Sequence, residues 1–483
     1  MCKETMACVF FVILLFSTTG SALNSSLGYE TDFDPLVDIS VTVEVQKIRS
    51  LEKHDRHLHV REYVDRWSAP DFYVKVFIND MVFKSGVWHE SRYIYDPGWS
   101  ATVDVPDEVE FVDIKIQLWD FSENGASEDR LCDISDDYGD SSDCFDVELV
   151  YSIKTGHWRG DDSLGDPSGY GRLNGCDDGT IYRHDRDCEL WFNIYHNDSD
   201  GDGIPYWMEV NVFGTDPEVD NTGEDMDGDG VPVDWEWRWR YDPLMQERHI
   251  YIDPDSDGLN NVEEYLTSRW DSDPFRKDLF IELDQMMESP RGEKSLLPEG
   301  AKELLYTAHD RQNVVYHLDD GSWEGSGSDM IPFDDLATYE ELQQIYWNYF
   351  LHGDEGNWRR GVFRYGVVIY QGSHHNGNAF GSNRFQISSN GMEKKARSLF
   401  LDRDVVYASA YMHETGHTLG FWPIYGHNDF SKYPWQIGWW IWRPYKSCMN
   451  YGYMYWMVDY SDGSRGRRDL NDWSRMDLTY FQK

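Results

Sequence analysis

Apolar and polar positions alternate with a period of two in three stretches of the N-terminal third, at residues 37–45, 72–78 and 112–119. Such alternation predicts half-buried strands, because successive side chains leave a strand on opposite faces. Asn79-Asp80 and Asp96-Pro97-Gly98 separate the runs and predict turns. Residues 35–196 therefore read as an antiparallel β-sandwich. The pattern changes after residue 275. Runs at 278–284, 314–317 and 366–370 read as strands, and residues 383–388 as an edge strand. Helices are predicted to open near Pro298-Glu299, to span 338–351 before Gly353, and to span 402–419. Residues 276–483 are thus expected to form an α/β domain.

Between these regions, residues 197–275 carry an internal repeat with a period of about 27 residues. Each copy has acids at loop positions 1, 3 and 5, glycine at 6, an apolar residue at 7 and glutamate at 12. The first copy holds Asp198, Asp200, Asp202, Gly203, Ile204 and Glu209. The second holds Asp225, Asp227, Asp229, Gly230, Val231 and Glu236. The third holds Asp253, Asp255, Asp257, Gly258, Leu259 and Glu264. A hard cation takes six to eight oxygens, and this register offers them from one EF-hand-like loop. The carboxylates come from 1, 3, 5 and 12, and a backbone carbonyl from 7. An Asp-Pro pair follows each copy, at 216–217, 242–243 and 273–274. We expect about three Ca²⁺ sites, with a loose chain when they are empty. The array resembles thrombospondin type-3-like calcium repeats.

The first residues have a different grammar. Lys3 precedes an apolar run at 7–16, and small residues end at Ala22. That arrangement predicts a secretory signal peptide over 1–22 and a secreted, extracellular protein. The run is too short for a membrane span, and none is predicted later. Outside the cell, neighbouring cysteines suggest the disulfides Cys132–Cys144 and Cys176–Cys188, leaving Cys448 over. With 43 Lys and Arg against 88 Asp and Glu, the formal charge is −45. Such a chain repels nucleic acid and anionic membrane. Its acidity has two readings, a surface suited to high salt or a set of divalent-cation sites, and the repeat favours the second.

The candidate chemistry lies on the helix at 402–419, in His413-Glu414-Thr415-Gly416-His417. Histidines four apart project from one helix face, so both imidazoles reach a single tetrahedral ion. Glu414 lies beside that ion, where it can take a proton from water and pass it to a leaving amine. A third protein ligand is required. No Glu follows Glu414, which excludes a thermolysin-like arrangement. Between Gly420 and Met449 the one histidine is His427 and the one acid Asp429; His427 is favoured, with Asp429 the alternative. The helix motif ending at Gly420, with Ser447-Cys448-Met449-Asn450-Tyr451 downstream, resembles the metzincin zinc proteases. The chain departs from that family at Pro423, where the third ligand would ordinarily stand. The resemblance implies that Met449 floors the metal site and that Tyr451 lies near it and donates to an oxyanion. It also implies that protein or peptide substrate lies along an edge strand, near 385–388, and is cleaved by direct water attack without an acyl-enzyme.

Asp71-Phe72-Tyr73-Val74-Lys75-Val76 and Leu118-Trp119-Asp120 resemble a C2 domain, in which Asp71 and Asp120 would help bind calcium at one tip. The usual next acid is Ser122, with Glu128 and Asp129 further on. Calcium-mediated contact with a surface is the partner this resemblance implies. The expectation is a multidomain chain, with an all-β C2-like sandwich, a calcium-binding repeat and an α/β metzincin-like zinc metalloendopeptidase domain. A calcium-dependent adhesion protein with an inactive protease-like domain is the alternative, and a zinc hydrolase of non-peptide amides a further one.

Overall fold

The alternating runs become strands that share one core. The computed structural model describes residues 32–51, 69–122, 128–137, 144–181, 186–373, 375–421 and 425–482. The predicted signal segment 1–22 and Pro423 lie outside them. Among the described residues the N-terminal region holds β1 (Ser40–Ser50), β2 (Phe72–Ile78), β3 (Met81–Lys84), β4 (Tyr93–Asp104) and β5 (Phe111–Asp120). It continues with β6 (Arg130–Leu131), β7 (Val147–Ser152), β8 (His157–Gly160), β9 (Arg172–Asn174) and β10 (Cys188–His196). One sheet has the order β4-β1-β10-β9; the other is β3-β2-β5-β7-β8, with β6 beside β5. Val41, Val43 and Val45 from one sheet meet Val74, Val76, Ile114 and Ile116 from the other in a common core. The region is an all-β sandwich.

Two local expectations are corrected. Asp96-Pro97-Gly98 is a bulge inside β4 rather than a turn between strands. The β1 partner moves from Trp99, opposite Val45, to Tyr95, opposite Lys47. Asp96 and Gly98 take φ of 45° and 60°, and residues that tolerate positive φ serve a bulge as readily as a turn. Neither predicted disulfide forms. Cys132 and Cys188 are buried in the sandwich core, whereas their proposed partners Cys144 and Cys176 lie outside it. Cys176 instead donates to Asp187 Oδ2 at 3.4 Å. Closeness in sequence did not join either pair.

Each acidic loop runs into a short helix, Tyr206–Met208, Val233–Arg238 or Asn261–Thr267. Gly203, Gly230 and Gly258 take φ of 83°, 107° and 99°, a region that a Cβ disfavours. The following Ile204, Val231 and Leu259 are buried and pin each loop to an adjacent core.

The C-terminal sheet comprises β11 (Lys277–Met286), β12 (Val314–Asp319), β13 (Met330–Ile331), β14 (Arg364–Ile369), β15 (Gly377–Ala379) and β16 (Arg384–Ser388). Its order is β12-β11-β14-β16-β15, with β13 against the end of β11. All pairings are parallel except β15 with β16. The predicted edge strand, β16, is therefore interior, and β15 forms the edge. Three residues, Gly377-Asn378-Ala379, are too few and too small to print an alternation. Leu279, Ile281 and Leu283 face helices Glu299–Asp310 and Arg403–Thr418, whereas Phe280, Val367 and Ile369 face Leu342 and Phe350. Burial on both faces explains the unbroken apolar runs. A Cβ on Gly366 would overlap the Tyr411 hydroxyl, so this glycine admits the Arg403–Thr418 helix close to the sheet.

Buried charges fasten the sandwich to this domain. Arg49 of β1 pairs with Glu189 at 2.9 Å, and with Glu303 and Asp310 of helix Glu299–Asp310 at 2.6 and 3.3 Å. Arg172 of β9 pairs with Glu189 at 2.8 Å and donates to the Asp310 carbonyl at 3.3 Å. Removing the Arg49 cation strands buried carboxylates. Arg49→Met is expected to cost about 3–5 kcal/mol and to split calorimetric unfolding into two transitions. One transition at the native Tm would contradict this.

Candidate metal centre

The Arg403–Thr418 helix starts at Asp402, whose side chain accepts from the Asp404 N–H at 2.9 Å. It stops where Gly420 takes φ of 83°. His413 and His417 lie one turn apart, with ring centroids separated by 5.0 Å and planes at 86°. The chain then returns, and the His427 ring sits 5.1 Å from each. One nitrogen from each of the three rings lies within 4.8 Å of the others, and His413 Nε2 is 3.1 Å from His427 Nε2. A tetrahedral zinc with N ligands at about 2.0–2.1 Å needs neighbouring nitrogens roughly 3.3 Å apart. The His413–His427 pair meets that demand, and the His417 nitrogen lies within 4.8 Å of both. Asp429 does not join them; it is exposed and paired with Lys432 at 2.6 Å.

The surroundings hold the imidazoles in their ligating form. Burial pushes His413 down to about 3 and lowers His417 and His427, so all three are neutral. His413 Nδ1 lies 2.8 Å from the Cys448 carbonyl, which fixes the ring proton on Nδ1 and turns the Nε2 lone pair toward the site. Met449 is fully buried directly beneath the helix. A Cβ on Gly416 would stand 2.5 Å from Met449 Sδ, so only glycine fits between the two histidines at this turn. Sequence reasoning passed over Gly416, although a glycine in a helix interior costs about 1 kcal/mol and so signals a packing demand.

Glu414 is only 4% exposed. Burial pushes its carboxyl up to about 8, opposed by a hydrogen bond from the Ala379 backbone N–H of β15. A Cβ on Gly377 would overlap the Glu414 carboxylate, so the edge strand passes directly over the candidate base. The Tyr451 ring lies 4.3 Å from that of His427. Burial pushes its hydroxyl up to about 12, so it remains a donor at neutral pH. Gly377, His413, Glu414 and Tyr451 line a cleft of about 670 Å³ that also takes in Lys395 and Trp439. Neither of these last two was anticipated.

The acidic loops gather ligands as well. Carboxylate oxygens converge in Asp200, Asp202 and Glu209, in Asp225, Asp227 and Asp229, and in Asp253, Asp255 and Asp257. Asp198 accepts from the Gly203 N–H at 3.3 Å. Glu264 is buried at the end of the third loop, where Ser272 donates to it. Burial, reinforced by neighbouring acids, pushes Asp202 up to about 6, Glu209 to about 7 and Asp255 to about 10. Packed acids of this kind could hold metal ions. The sandwich end bearing Asp71 and Asp120 differs. Asp71 Oδ1 accepts from the Glu90 N–H at 2.8 Å, and Asp120 accepts from the Asp71 N–H and pairs with Arg130 at 3.1 Å. Asp129 takes the Tyr73 hydroxyl at 2.9 Å. These acids are engaged within the protein, and no described helix is long and apolar enough to cross a membrane.

Comparison with protein-family models and with curated proteins finds no match. Among solved structures, a C2 domain is 12% identical with a TM-score of 0.18, covering 32% of this chain and 97% of its own. The C2A domain of a plant extended synaptotagmin 1 is also 12% identical, TM-score 0.18, covering 32% and 95%. Human GIVD cytosolic phospholipase A2 is 15% identical, TM-score 0.18, over 32% of this chain; the chain spans 16% of that enzyme's length. TM-scores this low leave the chemistry of the site to be argued from its own residues.

Proposed function

We propose that the chain is a secreted, calcium-stabilised zinc endopeptidase. The reading rests on one observation, the convergence of His413, His417 and His427 beside the buried Glu414. Zinc held by the three imidazoles would supply Lewis acidity, bringing water's ionisation near neutral pH and favouring an ionised carboxyl beside it. Glu414 takes the proton of the attacking water and delivers it to the departing amine. The water oxygen bonds to the carbonyl carbon, and the C–N bond breaks. Tyr451 donates to the oxygen that gains charge at that carbonyl. The β15 edge holds the substrate backbone extended across Glu414. We read the three acidic loops as the cation sites that stiffen the link between sandwich and catalytic domain.

Zinc analysis of two single variants tests the ligand set. His427→Ala is expected to lose zinc by about 100-fold in affinity or more, together with casein cleavage. Asp429→Ala is expected to keep both. The reverse pattern, or native zinc in His427→Ala, would remove the basis for the assignment.

A further inference from the structure

The second acidic loop departs from its neighbours at one point. In the first and third repeats the residue before Asp-Pro is a hydroxyl that donates to the loop's final carboxylate. Thr215 reaches Glu209 at 3.0 Å, and Ser272 reaches Glu264. In the second repeat that residue is Tyr241, and an imidazole from elsewhere stands beside Glu236. His249 opens the short turn His249–Tyr251 and is completely buried, as is Glu236. Its Nε2 lies 3.2 Å from Asp229 Oδ2, 3.4 Å from Glu236 Oε1 and 3.9 Å from Glu247 Oε2. Ligand atoms of Asp229, Glu236 and His249 all fall within 4.8 Å of one another.

Hydrogen bonding does not account for this cluster. No hydrogen bond reaches His249 Nε2, either oxygen of Glu236, or the Oδ1 of Asn261, although all are buried. The Asn261 amide stands 2.9 Å from the other ring nitrogen, Nδ1. Turning that amide over places Oδ1 against Nδ1, which then carries the ring proton. The Nε2 lone pair is thereby aimed at the acids, the arrangement in which an outer hydrogen bond orients a metal-ligating histidine. Tyr241 closes one side, its ring 4.9 Å from the imidazole at 88°. Calcium prefers oxygen donors throughout, while imidazole suits zinc and related divalent transition ions.

We propose that the second loop binds a divalent transition ion of the zinc class through Asp229, Glu236 and His249, unlike the first and third loops, which hold calcium. The site is independent of the three-histidine centre and replaces the calcium expectation for this loop alone.

The test uses the full-length chain equilibrated with zinc in excess calcium, then freed of unbound metal, with zinc counted by mass spectrometry. Native protein, His249→Gln and His417→Ala are compared, with near-ultraviolet circular dichroism to check the fold. His249→Gln and His417→Ala should each retain about half of the native zinc. Native zinc in a folded His249→Gln chain overturns the proposal. Native zinc in His417→Ala, with loss in His249→Gln, overturns the three-histidine reading instead. A second measurement needs no change at His249. Zinc remaining in His417→Ala should resist displacement by a thousandfold excess of calcium; its release by calcium overturns the proposal as well.

Discussion

Glu414→Gln binds as much zinc as the native chain and cleaves casein about 10²–10⁴-fold more slowly. The amide matches the carboxylate in shape, and its oxygen can still accept the Ala379 N–H that engages Glu414 in the native site. It cannot accept a proton from water. The loss therefore falls on the chemical step, with kcat lowered and zinc content unchanged, and the pairing of those two readouts separates proton transfer from ligand loss. Native kcat in this variant would exclude Glu414 as the base. Absence of casein cleavage by the zinc-loaded native chain would instead favour a binding protein whose protease-like site is silent.

Calcium removal should produce the second large effect. A cation that binds only the folded state stabilises it by about 4 kcal/mol per site at a thousandfold excess over Kd. Stripping the loops with a calcium-selective chelator should lower Tm and open residues 197–275 to added trypsin. The effect reaches the C-terminal domain through the third loop. Asp257 Oδ2 accepts from the Asp278 N–H of β11 at 2.8 Å, and Gln482 Nε2 donates to the Gly258 carbonyl at 2.6 Å. Casein cleavage should accordingly fall with the chelator and return with calcium. An unchanged Tm and trypsin pattern would mean that the acids are a solvated linker.

Features with a short repeat were legible in the sequence. The strands at 72–78 and 112–119 reappear within a residue at each end as β2 and β5, because period-two alternation records one buried face. The helix bearing His413 and His417 runs from Arg403 to Thr418, and its histidines meet because four residues make nearly one turn. What depended on long-range approach was hidden. The sequence favours His427 over Asp429 only as the one imidazole in that segment, and its 5.1 Å approach to both partners is set by a loop without periodicity. Gly416 and Gly377 matter for the absence of a side chain, against Met449 and Glu414 respectively, which no pattern of apolar positions registers. The cysteines failed for a related reason. Cys132, just after β6, and Cys188 of β10 sit in the sandwich core, and their sequence neighbours lie outside it.

On the endopeptidase reading proposed above, the shortness of β15 sets what this cleft can accept. A strand of three residues, Gly377–Ala379, offers a backbone ladder only about 10 Å long, too little to peel a helix or sheet apart. Targets should be segments already unfolded, such as tails and inter-domain connectors. Choice among them then falls to side chains reaching the aromatic wall around Trp439, rather than to main-chain grip.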